Sequence, residues 1–102
     1  MLVKVLSKED SFKSNGTSRV GYLDKVDYND LVKLFGEPIY TTPVGEDKTQ
    51  KEWLIEYQDE IFTIYDWKYY DTDVTTAGEI QWNIGGKTNP MYLIEYIERS
   101  LN

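Results

Sequence analysis

Apolar and polar positions alternate in five short stretches of the chain and recur at helical spacing in two others. Residues 2–6, Leu2-Val3-Lys4-Val5-Leu6, predict a first strand. A polar turn region follows from Ser7 to Thr17, with Asn15-Gly16 as its strongest turn signal, and leads to a second strand over residues 18–23. Asp27 stands where a helix cap belongs. Tyr28, Leu31, Val32, Leu34 and Phe35 follow at helical spacing until Gly36 and Pro38 stop them, which predicts a first helix.

Residues 40–50 mix Pro, Gly and charge without periodicity and predict a surface loop. Residues 52–57 place Trp53, Ile55 and Tyr57 on one strand face. Residues 60–67 place Ile61, Thr63, Tyr65 and Trp67 on one face, with Phe62 and Ile64 on the other. Gln58-Asp59 between these runs predicts a tight hairpin. Residues 68–78 form a second exposed connection, and residues 79–84 alternate again with Ile80, Trp82 and Ile84 facing inward. Gly85-Gly86 punctuates that strand. Asn89 as cap and Pro90 at the first helical position open a second helix over residues 90–101, whose stripe is Leu93, Tyr96, Ile97 and Leu101. The order predicts the α+β class: one domain over residues 1–102, a small antiparallel sheet of four to five strands, two helices packed on one face, and the other face available.

Composition narrows the chemistry. The chain has 102 residues, no histidine and no cysteine. Without imidazole there is no Ser-His-Asp arrangement and no general base titrating near neutrality, and without thiolate or imidazole there is no ordinary structural zinc site. Neither a metal nor a cofactor is expected. The lack of cysteine removes any disulfide framework and favours an intracellular setting. No stretch approaches the ~18 apolar residues of a membrane helix, and the start of the chain lacks the long apolar region of a signal peptide. The net charge of -7 argues against a coat for duplex DNA or an anionic membrane, both of which select a basic face.

Aromatic residues make up 15% of the chain, including nine tyrosines and three tryptophans. Such side chains suit interfaces and the stacking of nucleobases, and they also fill β-rich cores. The segment Gly85-Gly86-Lys87-Thr88-Asn89 joins a strand to a helix through glycines. Its amides, Lys87 and the following helix start could hold an anion, although the segment lacks the spacing of a P-loop and also fits a plain tight turn. Tyr65-Asp66-Trp67-Lys68 offers aromatic faces for a base and a lysine for phosphate, while the same alternation equally suits core packing. Asp66, Asp71 and Asp73 read as a solvated loop in preference to a cation site or an acid-base pair.

Gly21-Tyr22, Asp30-Leu31 through Leu34-Phe35-Gly36-Glu37-Pro38, Lys48-Thr49 with Glu52-Trp53, Thr63-Ile64-Tyr65-Asp66-Trp67-Lys68 and Trp82-Asn83-Ile84-Gly85-Gly86 resemble a widespread family of small phage-encoded proteins. The likeness spans about residues 20–87. That family includes the anti-CBASS nucleotide sponges, tetrameric phage proteins that sequester cyclic dinucleotide immune signals without cleaving them. The resemblance implies a non-enzymatic binder of a cyclic dinucleotide such as 3',3'-cyclic GMP-AMP, made by a phage, acting in the host cytoplasm and forming a homo-oligomer, with the tetramer of those sponges as the model. Read from this chain's own residues, the ligand-binding candidates are Arg19, Tyr65, Trp67, Lys68, Trp82, Gly85, Gly86 and Lys87. No catalytic residue is expected. The competing reading is an acidic phage inhibitor that binds a host protein, for instance as a nucleic-acid mimic; a carboxylate enzyme built on Asp66, Asp71 and Asp73 is the third.

Overall fold

The computed structural model describes residues 3–102, so Leu2 of the first predicted strand lies outside the described residues. All strands join one antiparallel sheet. They are β1 (Val3–Val5), β2 (Ser18–Val26), β3 (Tyr40–Thr41), β4 (Lys51–Tyr57), β5 (Glu60–Tyr65) and β6 (Ile80–Gly86), in the spatial order β1-β4-β5-β6-β2, with β3 beside β4. β1 and β3 lie end to end along the same edge of β4, pairing with residues 55–57 and 51–52 respectively. Helices α1 (Tyr28–Phe35) and α2 (Met91–Leu101) pack on one face, and a 3-10 helix over Lys8–Ser14 is the third helical element. The α+β class holds, with a sixth strand beyond the expected four to five.

The packed face follows from the strand alternation. Trp53, Ile55 and Tyr57 of β4, Phe62 and Ile64 of β5, and Trp82 and Ile84 of β6 meet Leu31 and Phe35 of α1 and Leu93 and Ile97 of α2 in one core. Burying each such large side chain contributes about 1.5–3 kcal/mol relative to leaving it in water. Trp53 and Trp82 meet edge to face with centroids 5.6 Å apart. Their indole N–H groups, which would be costly to bury unpaired, donate to Gly36 O at 2.8 Å and Val26 O at 3.0 Å.

The two helices start differently: α1 begins at a side-chain capping box, whereas the N-cap of α2 is Pro90, which has no side-chain cap. Asp27 accepts from the Asp30 N–H at 2.8 Å, and Asp30 accepts from the Asp27 N–H at 3.1 Å, a reciprocal box that fixes where α1 begins. At α2 the Asn89 side chain accepts from the Met91 N–H at 2.9 Å, and the helix opens after Pro90, one residue later than predicted.

Four departures from the sequence reading have local causes. The polar run after β1 is not all turn: Asp10 accepts from the Ser7 N–H at 3.3 Å while its own N–H donates to Ser7 O at 3.0 Å, which starts the 3-10 helix. β2 continues three residues beyond the predicted end at Leu23, because Lys25 at φ 60 makes a bulge that returns Val26 to the core beside Leu23. β5 stops at Tyr65 instead of Trp67, since the next side chain, Asp66, turns in to bind backbone amides. β6 runs on through Gly85 and Gly86, whose backbones pair with Arg19 and Ser18 of β2. Those glycines are sheet positions and not a loop in front of α2.

Candidate functional site

The sheet face turned away from α1 and α2 carries two rows of side chains set by strand register. Glu52 pairs with Tyr65, Tyr65 with Asn83, and Asn83 with Tyr22, one residue from each of β4, β5, β6 and β2. The neighbouring row runs Leu54, Thr63, Gly85, Arg19. At Gly85 a Cβ would fall on Thr63 Oγ1 and lie 3.5 Å from the Tyr65 ring, so only glycine lets Thr63 pack over the backbone beside Tyr65. Gly86 serves the other face, where a Cβ would come within 2.8 Å of the Phe62 ring.

Two adjoining hollows result. One, of about 210 Å³, is bounded by Glu52, Thr63, Tyr65, Trp67 and Gly85, with hydroxyls of Ser14, Thr17, Ser18 and Thr49 around its rim. The other, of about 170 Å³, is bounded by Arg19, Tyr65, Trp67 and Asn83. Tyr65 and Trp67 belong to both and form the divide between them. Their rings meet edge to face at 6.1 Å. Trp67 is 43% exposed and so presents an aromatic surface to solvent, with Lys48 Nζ 5.6 Å from its centroid. The Arg19 guanidinium lies 4.9 Å from the Tyr22 ring.

The divide is held in place by Asp66. Its carboxylate is fully buried and accepts from the Gln50 N–H at 2.9 Å and the Lys51 N–H at 2.8 Å. Gln50, also buried, donates from Nε2 to Tyr69 O and Thr72 O, both at 2.7 Å, and accepts from the Val74 N–H at 3.2 Å. The Lys68 N–H donates to Lys48 O at 2.7 Å. The two connections expected to be separate surface loops are thus stitched together, and the stitch fixes Trp67 beyond the end of β5. Burial pushes the Asp66 carboxyl above its ordinary range, and the amides of Lys51 and Gln50 pull it back.

Charge is distributed unevenly over the hollows. Burial raises the Glu52 carboxyl, and the nearby Asp66 raises it further. Among the described residues no group forms an ion pair or hydrogen bond with the Glu52 side chain; the ion pair present joins Lys13 and Asp10 at 3.5 Å. The Tyr65 phenol is raised mainly by burial, an effect that Arg19 opposes and Glu52 reinforces. Tyr65 therefore sits between a cation on one side and a carboxyl on the other.

Of the sequence candidates, Arg19, Tyr65, Trp67 and Gly85 come together here. Lys87 is exposed and lies along Gly16, 3.3 Å from where a Cβ would stand, next to the rim residue Thr17. Lys68 is exposed at φ 63, immediately after Trp67. Trp82 is corrected: it is 0% exposed in the core on the opposite face, with its indole N–H already paired, and it does not reach this surface. Gly85 and Gly86 are corrected in role, since their backbones lie within the strand ladder and not in an open loop.

The sequence reading missed Glu52, Asn83 and Lys48. Glu52 and Asn83 occupy the polar phase of strands whose apolar phase was recognised, and only the register places them beside Tyr65. No protein-family model, curated protein or solved structure matches this chain. No group of three or more potential metal-ligating side chains occurs among the described residues. Aromatic faces, a ring of hydroxyls, a cation and an unpaired carboxyl suit the holding of a flat, polar, partly charged molecule.

Proposed function

We propose that this chain is a phage-encoded anti-defence protein that binds a cyclic dinucleotide immune signal, such as 3',3'-cyclic GMP-AMP, in the host cytoplasm and holds it without cleaving it. The observation that carries this reading is the convergence of Arg19, Tyr65, Trp67 and Gly85 from three strands and the chain just beyond β5 onto two adjoining hollows of the sheet face opposite α1 and α2, which the 3-10 helix partly covers. A base needs a flat apolar partner, which Trp67 and Tyr65 supply, and a phosphate needs a cation, which Arg19 supplies. Lys48, Lys68 and Lys87 add positive charge at the margins. The overall charge of -7 does not prevent this, because salt screens carboxylates farther than about 8 Å from the phosphates.

Two features favour capture without cleavage: the lack of imidazole and thiol, and the engagement of two nearby carboxylates. Asp66 is committed to the amides of Gln50 and Lys51, and Asp73 accepts from the Thr75 hydroxyl at 2.6 Å and its N–H at 2.9 Å. The chain has no histidine or cysteine to move a proton, and Glu52 is the carboxyl left at the hollow, so recovery of the nucleotide intact is the deciding readout. Size argues for self-association. Hollows of about 210 and 170 Å³ each fall below the ~300–1,000 Å³ of pockets that enclose drug-sized ligands, so a second copy would complete the enclosure.

The test is calorimetric titration with a panel of cyclic di- and trinucleotides, followed by denaturation and chromatography of the released nucleotide. Saturable heat with unaltered nucleotide recovered is expected. Recovery of a cleaved product makes the protein an enzyme, and no heat across the panel transfers the assignment to an acidic inhibitor of a host protein.

A further inference from the structure

Among the described residues, Glu52 is the one charged side chain bordering the larger hollow, and its carboxylate makes no ion pair or hydrogen bond with them. Neither neighbouring cation pairs with it: Lys51 Nζ is turned to the Tyr28 ring at 5.8 Å, and Lys48 Nζ stands 5.6 Å from the Trp67 centroid at the wall of the hollow without an ion pair to Glu52. A half-buried carboxylate with no donor from the protein keeps both oxygens able to accept from a ligand. It also repels a phosphate from its end of the cleft, whereas Arg19 beyond Tyr65 attracts one. The polarity across the divide thus sets which part of a nucleotide goes where.

Resting on the nucleotide-binding reading above, we propose that Glu52 reads a base: it accepts two N–H donors from the Watson-Crick edge of a guanine lying in the larger hollow, with the phosphates toward Arg19. Guanine offers N1–H and N2–H side by side, matching the two carboxylate oxygens. Adenine offers an N6 donor beside the N1 acceptor, so its N1 lone pair faces a carboxylate oxygen. The Thr49 hydroxyl already donates to the Asp66 carbonyl at 3.1 Å, and the Thr63 hydroxyl can donate or accept, so the choice of base is left to Glu52. Glu52→Gln reverses the pattern, since an amide presents one acceptor and one donor, the complement of adenine's edge.

The experiment titrates the wild-type protein and E52Q with cyclic di-GMP and with cyclic di-AMP by calorimetry at neutral pH. A thermal melt of each variant confirms that it is folded. The wild type is expected to favour cyclic di-GMP by on the order of tenfold or more, and E52Q to lose or invert that ratio. In the wild type the guanine preference also fades as acid protonates Glu52, whereas in E52Q the ratio does not change with pH. Equal binding of the two nucleotides, an adenine preference in the wild type, or an unchanged ratio in folded E52Q overturns the base-reading role while leaving nucleotide capture standing. No binding of either nucleotide, or of any other in the panel, overturns both.

Discussion

Glu52 and Asp66 are neighbouring carboxyls whose burial acts in the same direction, yet they serve opposite ends. Both are held above their ordinary range in the folded chain. A carboxyl raised by folding binds its proton more tightly in the native state, so stability falls as pH rises from the ordinary value through the raised one. Removing the charge at Glu52 relieves that penalty. E52Q should therefore be at least as stable as the wild type at pH 7 in denaturant melts, with the difference vanishing below the unfolded-state value of about pH 4. Asp66 differs because backbone donors surround it. Asp66→Asn turns an amide N–H₂ toward N–H groups and should lower stability by about 2 kcal/mol, a fall of roughly 10 °C in melting temperature for a chain this size. Arg19→Glu, at an exposed position, should leave the melt unchanged and weaken nucleotide capture at least ~10-fold, the scale of a charge-assisted contact. An Arg19→Glu protein that binds like the wild type would remove Arg19 from the site.

At the scale of elements, the hairpin and the glycine pair show how far pattern goes. Gln58-Asp59 was legible as a tight turn, and both residues take positive φ, 51 and 66, as a two-residue hairpin of type I′ requires. Neither is glycine, so Asp59→Gly should raise stability by about 1 kcal/mol in chemical denaturation. The α+β order, both helices and the apolar phase of β4, β5 and β6 were equally legible, because alternation and caps are local signals. The bulge at Lys25, the 3-10 helix and the continuation of β6 through Gly85-Gly86 were not. Each depends on what the neighbouring strand offers: Thr63, Tyr65 and Phe62 explain the two glycines, and all three lie twenty or more positions earlier. Gly85→Ala should cost about 1–3 kcal/mol by crowding Thr63 and should also shallow the binding surface. The site was half legible for the same reason. Its aromatics stood out in the chain, whereas Glu52 and Asn83 became partners of Tyr65 only through strand register.

For the whole molecule, the two faces of one sheet divide the work. The face under α1 and α2 takes Trp53 and Trp82 and supplies the stability, leaving Tyr22, Tyr40 and Trp67 partly exposed elsewhere. β2 forms an outer edge of the sheet with two register irregularities, which blunt it as a template for strand pairing. Copies of the chain are therefore expected to meet through faces and not by extending the sheet, and sedimentation at micromolar concentration should give a species heavier than 12.0 kDa. The central claim, that the sheet face opposite α1 and α2 captures an intact nucleotide, is tested most directly by NMR titration of isotope-labelled protein with cyclic GMP-AMP. The Trp67 indole and the amides of Arg19, Thr63 and Gly85 should shift, while the paired indoles of Trp53 and Trp82 stay nearly still and the nucleotide's own signals remain those of the intact ring. Shifts confined to α2, no shifts at excess nucleotide, or conversion of the nucleotide signals would contradict the account.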